Sequence, residues 1–209
     1  RIHSKRKLFE RLLMQNKVVM VLETHGAPGE MSTLPNSHTH FGNFKGPDAL
    51  SSSAKAGGVV TAVHLSILDM VDNISEKVFA AGRCFAILLA GASFSLMLVN
   101  VHMNPQWTYV QKKHVLTVMC KHIKEHSAST VFIGGDWNFI QSDDRRLDTT
   151  SGAEVAGSDP ISLVFEQIVN ELIELAQPNY TRSNALVSPS SSLASLSRID
   201  RLYTNMHAT

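Results

Sequence analysis

Apolar positions along the chain fall into two patterns. At the start, Leu8 with Leu12 and Phe9 with Leu13 recur at helical spacing and predict a helix over residues 5–16; the run Val18-Val19-Met20-Val21-Leu22 that follows reads as a short buried strand. A second strand is predicted at Gly57-Gly58-Val59-Val60-Thr61-Ala62-Val63. The uncharged stretch from Cys84 to Val101 is broken by Gly91-Ala92-Ser93 into two halves rich in β-formers, so a buried hairpin is expected there and not a membrane span. After Pro105, Leu116, Met119, Cys120 and Ile123 form one helical stripe, with Lys112, Lys113, Lys121 and Lys124 placed largely outside it on a solvated face.

Further on, Val131-Phe132-Ile133 is a strand leading into Gly134-Gly135-Asp136-Trp137-Asn138. Asp159-Pro160 starts a helix whose apolar face runs through Ile161, Val164, Phe165, Ile168, Leu172 and Leu175 until Pro178 stops it. The last readable strand is Arg198-Ile199-Asp200-Arg201-Leu202-Tyr203. Residues 27–56 and 141–158 read as irregular loops, and Ser188-Pro189-Ser190-Ser191-Ser192 as a low-complexity connector. Mixed helices and strands, several strands being apolar throughout, give an α/β or α+β class with helices covering sheets.

With 209 residues, 44% of them hydrophobic, the chain suits one domain with a substantial core. Its formal charge of +1 neither favours nor excludes nucleic acid, which would have to meet a local basic patch. Cys84 and Cys120 match neither a disulfide framework nor a metal spacing, consistent with an intracellular protein, the nucleus included. No secretory signal is visible at the basic start, and the missing initiating Met suggests a fragment.

Candidate chemistry gathers at strand ends. Glu23, Asp136 and Asp200 each sit at or near the end of an apolar strand, and Asn100 and His102 close another. A carboxylate placed there escapes the desolvation cost of the core yet stays on a rigid element, where a metal ligand or a base must be held. Asp136 and Asn138 are two residues apart and project to one side of extended backbone. On this stretch alone, a glycine turn capped by Asp136 reads equally well. His25, His38 and His40 lack a Cys or acidic partner at regular spacing and do not make a zinc site. Trp137 is expected to pack into the rim rather than bind.

Five segments, taken in order, resemble the endonuclease/exonuclease/phosphatase superfamily of DNase I-like proteins. They are Val21-Leu22-Glu23-Thr24-His25, Gly57-Gly58-Val59, Val99-Asn100-Val101-His102, Gly134-Gly135-Asp136-Trp137-Asn138 and Ser197-Arg198-Ile199-Asp200-Arg201-Leu202-Tyr203. The Gly-Gly-Asp-Trp-Asn and Ser-Arg-Ile-Asp-Arg forms are most similar to endonuclease domains of non-LTR retrotransposons.

The resemblance implies a four-layer sandwich of two β-sheets flanked by helices, with residues 1–209 forming a partial domain that lacks the family's first strand and its C-terminal Ser-Asp-His strand. It implies hydrolysis of phosphate esters with Mg²⁺, or Mn²⁺ in its place, and DNA as the partner; no protein partner is implied. Glu23 then takes the role of metal ligand, Asp136 that of activating water, Asn138 that of donor to the phosphate, and His102 that of contacting the phosphate or aiding the leaving group. Asp200 takes the role of orienting a catalytic histidine. Asn100, Arg145 and Arg146 are assigned to the substrate. With two family positions unmatched, little or no activity is expected of the chain alone. Two alternatives stay open: a phosphatase on a small substrate such as an inositol phosphate, and a non-catalytic remnant of the same fold.

Overall fold

Two sheets packed face to face, with helices on both outer surfaces, give the chain four layers. The computed structural model describes residues 2–24, 36–43, 57–139, 145–148, 154–156, 160–175, 182–184, 195–197 and 200–206, with side chains for 7–24, 36–42, 57–139, 160–175 and 201–206. In chain order the elements are α1 (Ile2–Gln15), β1 (Val18–Leu22), β2 (His38–Asn43), β3 (Val59–His64), α2 (Leu65–Leu68), β4 (Asn73–Ala80), β5 (Cys84–Ala90), β6 (Ser95–His102), α3 (Tyr109–Glu125), β7 (Thr130–Asp136), β8 (Arg145–Asp148), β9 (Glu154–Ala156), α4 (Ser162–Val169), β10 (Ile173–Glu174), β11 (Arg182–Asn184), β12 (Ser195–Ser197) and β13 (Asp200–Thr204).

The smaller main sheet has strand order β1-β3-β2 and the larger β10-β13-β7-β6-β5-β4, while β11-β12-β8-β9 form a third. In the larger sheet β6 and β7 are parallel and the other pairs antiparallel, because α3 carries the chain back from the end of β6 to the start of β7. Alternation along each strand divides the core. Phe85, Ile87, Leu89 and Leu98 face Val59 and Val63 between the sheets, and Met97, Val99, Val101 and Ile133 face Leu116, Met119 and Phe165 beneath the helices. Val60 and Ala62 meet Leu13 of α1 on the far side.

The pattern predicted the helix before β1, the hairpin of β5 and β6, and β7, and each is observed. Helix α3 opens with a capping box in which Thr108 and Gln111 satisfy each other's backbone amides. Helix α4 is shorter than expected, because Ile173 and Glu174 leave the helical path to pair with Thr204 and Tyr203. Its eight residues would be marginal alone; buried Phe165 and Ile168 each contribute about 1.5–3 kcal/mol by docking on the sheet.

Strand β2 lies inside the expected loop 27–56, paired with β3, and β8 and β9 pair inside the expected loop 141–158. Strand β4 was not foreseen: it is an edge strand, exposed from Asn73 to Val78, whose Glu76 and Lys77 discourage further pairing. Lys112, expected in solvent, is buried near the start of α3, while Lys113, Lys121 and Lys124 are exposed. The Ser188–Ser192 connector, His25 and Pro178 lie outside the described residues. No helix among the described residues is long and apolar enough to cross a membrane.

Candidate active site

Strand pairing brings three of the expected residues into one row. His102 at the end of β6 is the register partner of Asp136 at the end of β7, and Asp136 is in turn the partner of Asp200 at the start of β13. The row crosses three adjacent strands at one end of the larger sheet. Glu23 reaches the same end from the other sheet, one residue beyond β1, and its carboxylate Oε1 is 3.4 Å from Nε2 of His102. The Glu23 side chain is 59% exposed and that of His102 only 4%, so the carboxylate meets solvent with the imidazole behind it.

A ladder of main-chain hydrogen bonds joins the turns at this end. Thr24 N–H donates to the Gly58 carbonyl at 3.1 Å, Gly58 N–H to the Gly82 carbonyl at 2.8 Å, and His102 N–H to the Arg83 carbonyl at 2.8 Å. Gly57, at φ 88°, approaches Gly82 so closely that a Cβ would lie 2.8 Å from its carbonyl oxygen.

The last turn of this ladder carries Arg83, which sequence reasoning missed. Its guanidinium Nη1 is 3.1 Å from Nδ1 of His102 and 3.5 Å from Nε2, and the residue is buried. The only signal in the sequence was a lone cation at the head of the uncharged Cys84–Val101 stretch. Behind it, burial pushes the Cys84 thiol up to about 12, making it an inert packing group.

The Gly-Gly-Asp-Trp-Asn turn is held from both sides. Asn138 N–H donates to Asp136 Oδ1 at 2.9 Å, closing an Asx turn, and the Asn138 side-chain amide donates to the Met103 carbonyl at 2.8 Å. Met103 N–H donates to the Asp136 carbonyl at 2.8 Å, so the ends of β6 and β7 are stitched together. Trp137 has no exposed surface and packs against Phe139, Phe165 and Tyr203. Among the described residues, Glu23 at φ 53° and Asn138 at φ 50° are the only non-glycine residues in the left-handed region. Sparsely populated backbone of this kind concentrates at functional sites, and here both instances fall on expected site residues.

Other expected residues lie elsewhere. Asn100 has no exposed surface; its amide donates to the Val60 carbonyl at 3.0 Å and to Thr61 Oγ1 at 3.3 Å, which clamps the two sheets together and leaves it no face for substrate. Arg145 and Arg146 are in β8, paired with Ala156 and Val155 of β9, and their side chains are outside those described. His38 is at the opposite end of its sheet from Glu23, where its ring meets His64 edge-on at 4.9 Å. No group of three or more His, Cys, Asp or Glu side chains positioned to hold a metal occurs among the described residues.

No known family's sequence model matches the chain, and neither does any curated protein. Solved structures do. D. rerio TDP2 complexed with a single-strand DNA product is similar at a TM-score of 0.59 and 15% identity, over 95% of this chain and 75% of that one. The endonuclease domain of TRAS1, a telomere-specific non-LTR retrotransposon, is similar at a TM-score of 0.55 and 10% identity, over 94% and 76%. The Bacteroides thetaiotaomicron mannosyl-6-phosphatase Bt3783 is similar at 0.57 and 11%, over 97% and 76%. The fold is DNase I-like. It is the architecture of the endonuclease/exonuclease/phosphatase proteins, and the row of His102, Asp136 and Asp200 lies where the ends of its central strands meet Glu23 of the second sheet.

Proposed function

We propose that the chain carries a metal-dependent site for hydrolysing phosphodiesters and acts on DNA as an endonuclease of the retroelement type. The observation that carries this reading is the register of His102, Asp136 and Asp200 across three strands with the Glu23 carboxylate 3.4 Å from the imidazole. The likeness to TDP2 with its DNA product and to the TRAS1 endonuclease supports DNA as the substrate. The likeness to the mannosyl-6-phosphatase supports a second reading, a phosphatase on a small substrate, with the same residues in the same roles.

Glu23 is the residue that would hold Mg²⁺, or Mn²⁺ in its place. It offers a hard oxygen donor, exposed and fixed by its backbone, and the cation when bound would offset negative charge on the phosphate oxygens. Asp136 takes the proton of the attacking water. Asn138 donates to the phosphate, its amide oriented by the bond to the Met103 carbonyl. His102 meets the phosphate beside Glu23. Arg145 and Arg146 contact neighbouring phosphates of the duplex.

Two measurements on the full chain test this. Mn²⁺ should broaden the amide NMR signals around Glu23 and His102, and Glu23→Gln should abolish the effect. Plasmid cleavage, however slow, should stop with chelator and fall on the order of 10²-fold in Asp136→Asn. Broadening centred elsewhere, or cleavage indifferent to both substitutions, would overturn the assignment. Turnover of inositol phosphates with none of DNA would select the phosphatase.

A further inference from the structure

We propose that His122 and His126, at the end of α3, form a chelating site for a divalent transition metal of the imidazole-binding kind, with Zn²⁺ as its representative ion. The site does not depend on the hydrolytic reading. Helix α3 returns the chain from the end of β6, where His102 stands, to the start of β7, so its last turns lie at the far end of the sheet from Glu23. The two histidines are four residues apart and therefore share one face of the helix, with His126 as its C-cap. Their ring centres are 4.5 Å apart and their planes are tilted by 53°. Zn–N bonds of about 2.0–2.1 Å on neighbouring positions of one ion bring two imidazole centres to about 5 Å, so the rings already stand near the separation that a shared ion needs.

The ring nitrogens are sorted for this task. Nδ1 of His126 is 2.9 Å from the His122 carbonyl oxygen, which can only accept; in the neutral ring the proton is therefore on Nδ1, and Nε2 keeps its lone pair. A metal-binding histidine is commonly held in this way, its second nitrogen donating to a main-chain carbonyl or a carboxylate. At His122 the carboxylate of Glu125 stands 4.0 Å from Nδ1, too far for a hydrogen bond but on the side where it favours a proton. Phe79 of β4 meets the His122 ring edge-on at 5.6 Å and holds its plane. Neither Nε2 bonds to another described group, and neither is among the buried atoms left without a partner, so both open to water. The carbonyl end of a helix favours a cation, and Glu125 adds negative charge, shared with Lys121 at 3.8 Å; Lys77 of β4 and Lys124 act in the opposite sense. No third His, Cys, Asp or Glu among the described residues converges on the pair, so water would fill the remaining positions of the ion. Bound there, the ion ties together two turns where α3 gives way to β7, next to the turn in which the His126 carbonyl accepts the Ser129 N–H at 2.9 Å.

The test is a Zn²⁺ titration of the full 209-residue chain at pH 7.5, followed through the ¹⁵N NMR signals of the histidine rings. Zn²⁺ should shift the Nε2 signals of His122 and His126 together along one binding curve. Mg²⁺, which prefers oxygen donors, should move neither. His126→Gln should weaken Zn²⁺ binding at His122 on the order of tenfold or more, because the second nitrogen no longer acts as an intramolecular ligand. Glu23→Gln should leave the response of both rings unchanged, which separates this site from the one proposed for phosphate chemistry. Zn²⁺ that shifts other histidines while these two stay in place, a shift confined to one ring of the pair, or equal binding in His126→Gln would overturn the proposal. If that variant does not fold, the wild-type titration decides.

Discussion

A Cβ placed on Gly135 would lie 1.8 Å from the carbonyl oxygen of Val101, its register partner on the neighbouring parallel strand. No side chain fits, and φ is 145°. The glycine lets β6 and β7 close together immediately before Asp136, which is what keeps Asp136 in register with His102. Gly135→Ala should therefore destabilise the fold by about 3 kcal/mol or more, read as a lower urea midpoint. A midpoint within experimental error of wild type would mean that the strands are not so closely joined here.

Asn138 allows stability and chemistry to be separated. Replacement by Gly removes the bond to the Met103 carbonyl, a loss of about 1 kcal/mol. It also relieves a left-handed backbone at φ 50°, a gain of about 1–2 kcal/mol. Asn138→Gly should keep its stability within about 1 kcal/mol of wild type while cleavage falls on the order of 10²-fold. Paired urea unfolding and plasmid assays read both; unaltered cleavage would release Asn138 from the site.

Arg201, buried under β13, pairs with Glu174 of β10 at 3.1 Å. Removing the carboxylate leaves a buried cation without that partner, so Glu174→Ala should cost about 3 kcal/mol. The double replacement Arg201→Met with Glu174→Leu should recover most of the loss, since a packed apolar pair needs no compensation. Thermal unfolding of the three variants checks the order.

Acid should weaken the fold. Burial lowers the pKa of both His40 and His122 below the ordinary 6.5; neighbouring His38 adds to the effect at the first, and His126 at the second, where Glu125 opposes it. The unfolded chain then binds more protons than the folded one below pH 6.5, so stability is complete above that value and falls as pH drops towards the folded pKa values. Urea midpoints should fall between about pH 7.5 and about pH 5.5, and the combined replacement of His40 and His122 by Asn should flatten the profile. A midpoint that rises on acidification would reverse the sign.

What the sequence determined by itself was the set of buried strands and the acids at their ends. An unbroken apolar run such as Val18–Leu22 or Val131–Ile133 has few ways to escape water, and a carboxylate can follow it only where the strand emerges; Glu23 and Asp136 were legible for that reason. Tertiary structure alone decided what depends on a partner far along the chain. Strand β2 carries His38, Thr39, His40 and Asn43, and its strandedness comes from the edge of β3. Ile173 and Glu174 fall within the span of the predicted helix, between Leu172 and Leu175, but pair instead with β13, where Glu174 meets Arg201. Asn100 and His102 share one face of β6, yet one is sealed between the sheets and the other opens towards Glu23, because depth in the sandwich is set by the strands stacked above. Arg83 reached the site through a turn that no local pattern marks, since hydrogen bonds among Thr24, Gly58, Gly82 and His102 form only when both sheets are in place.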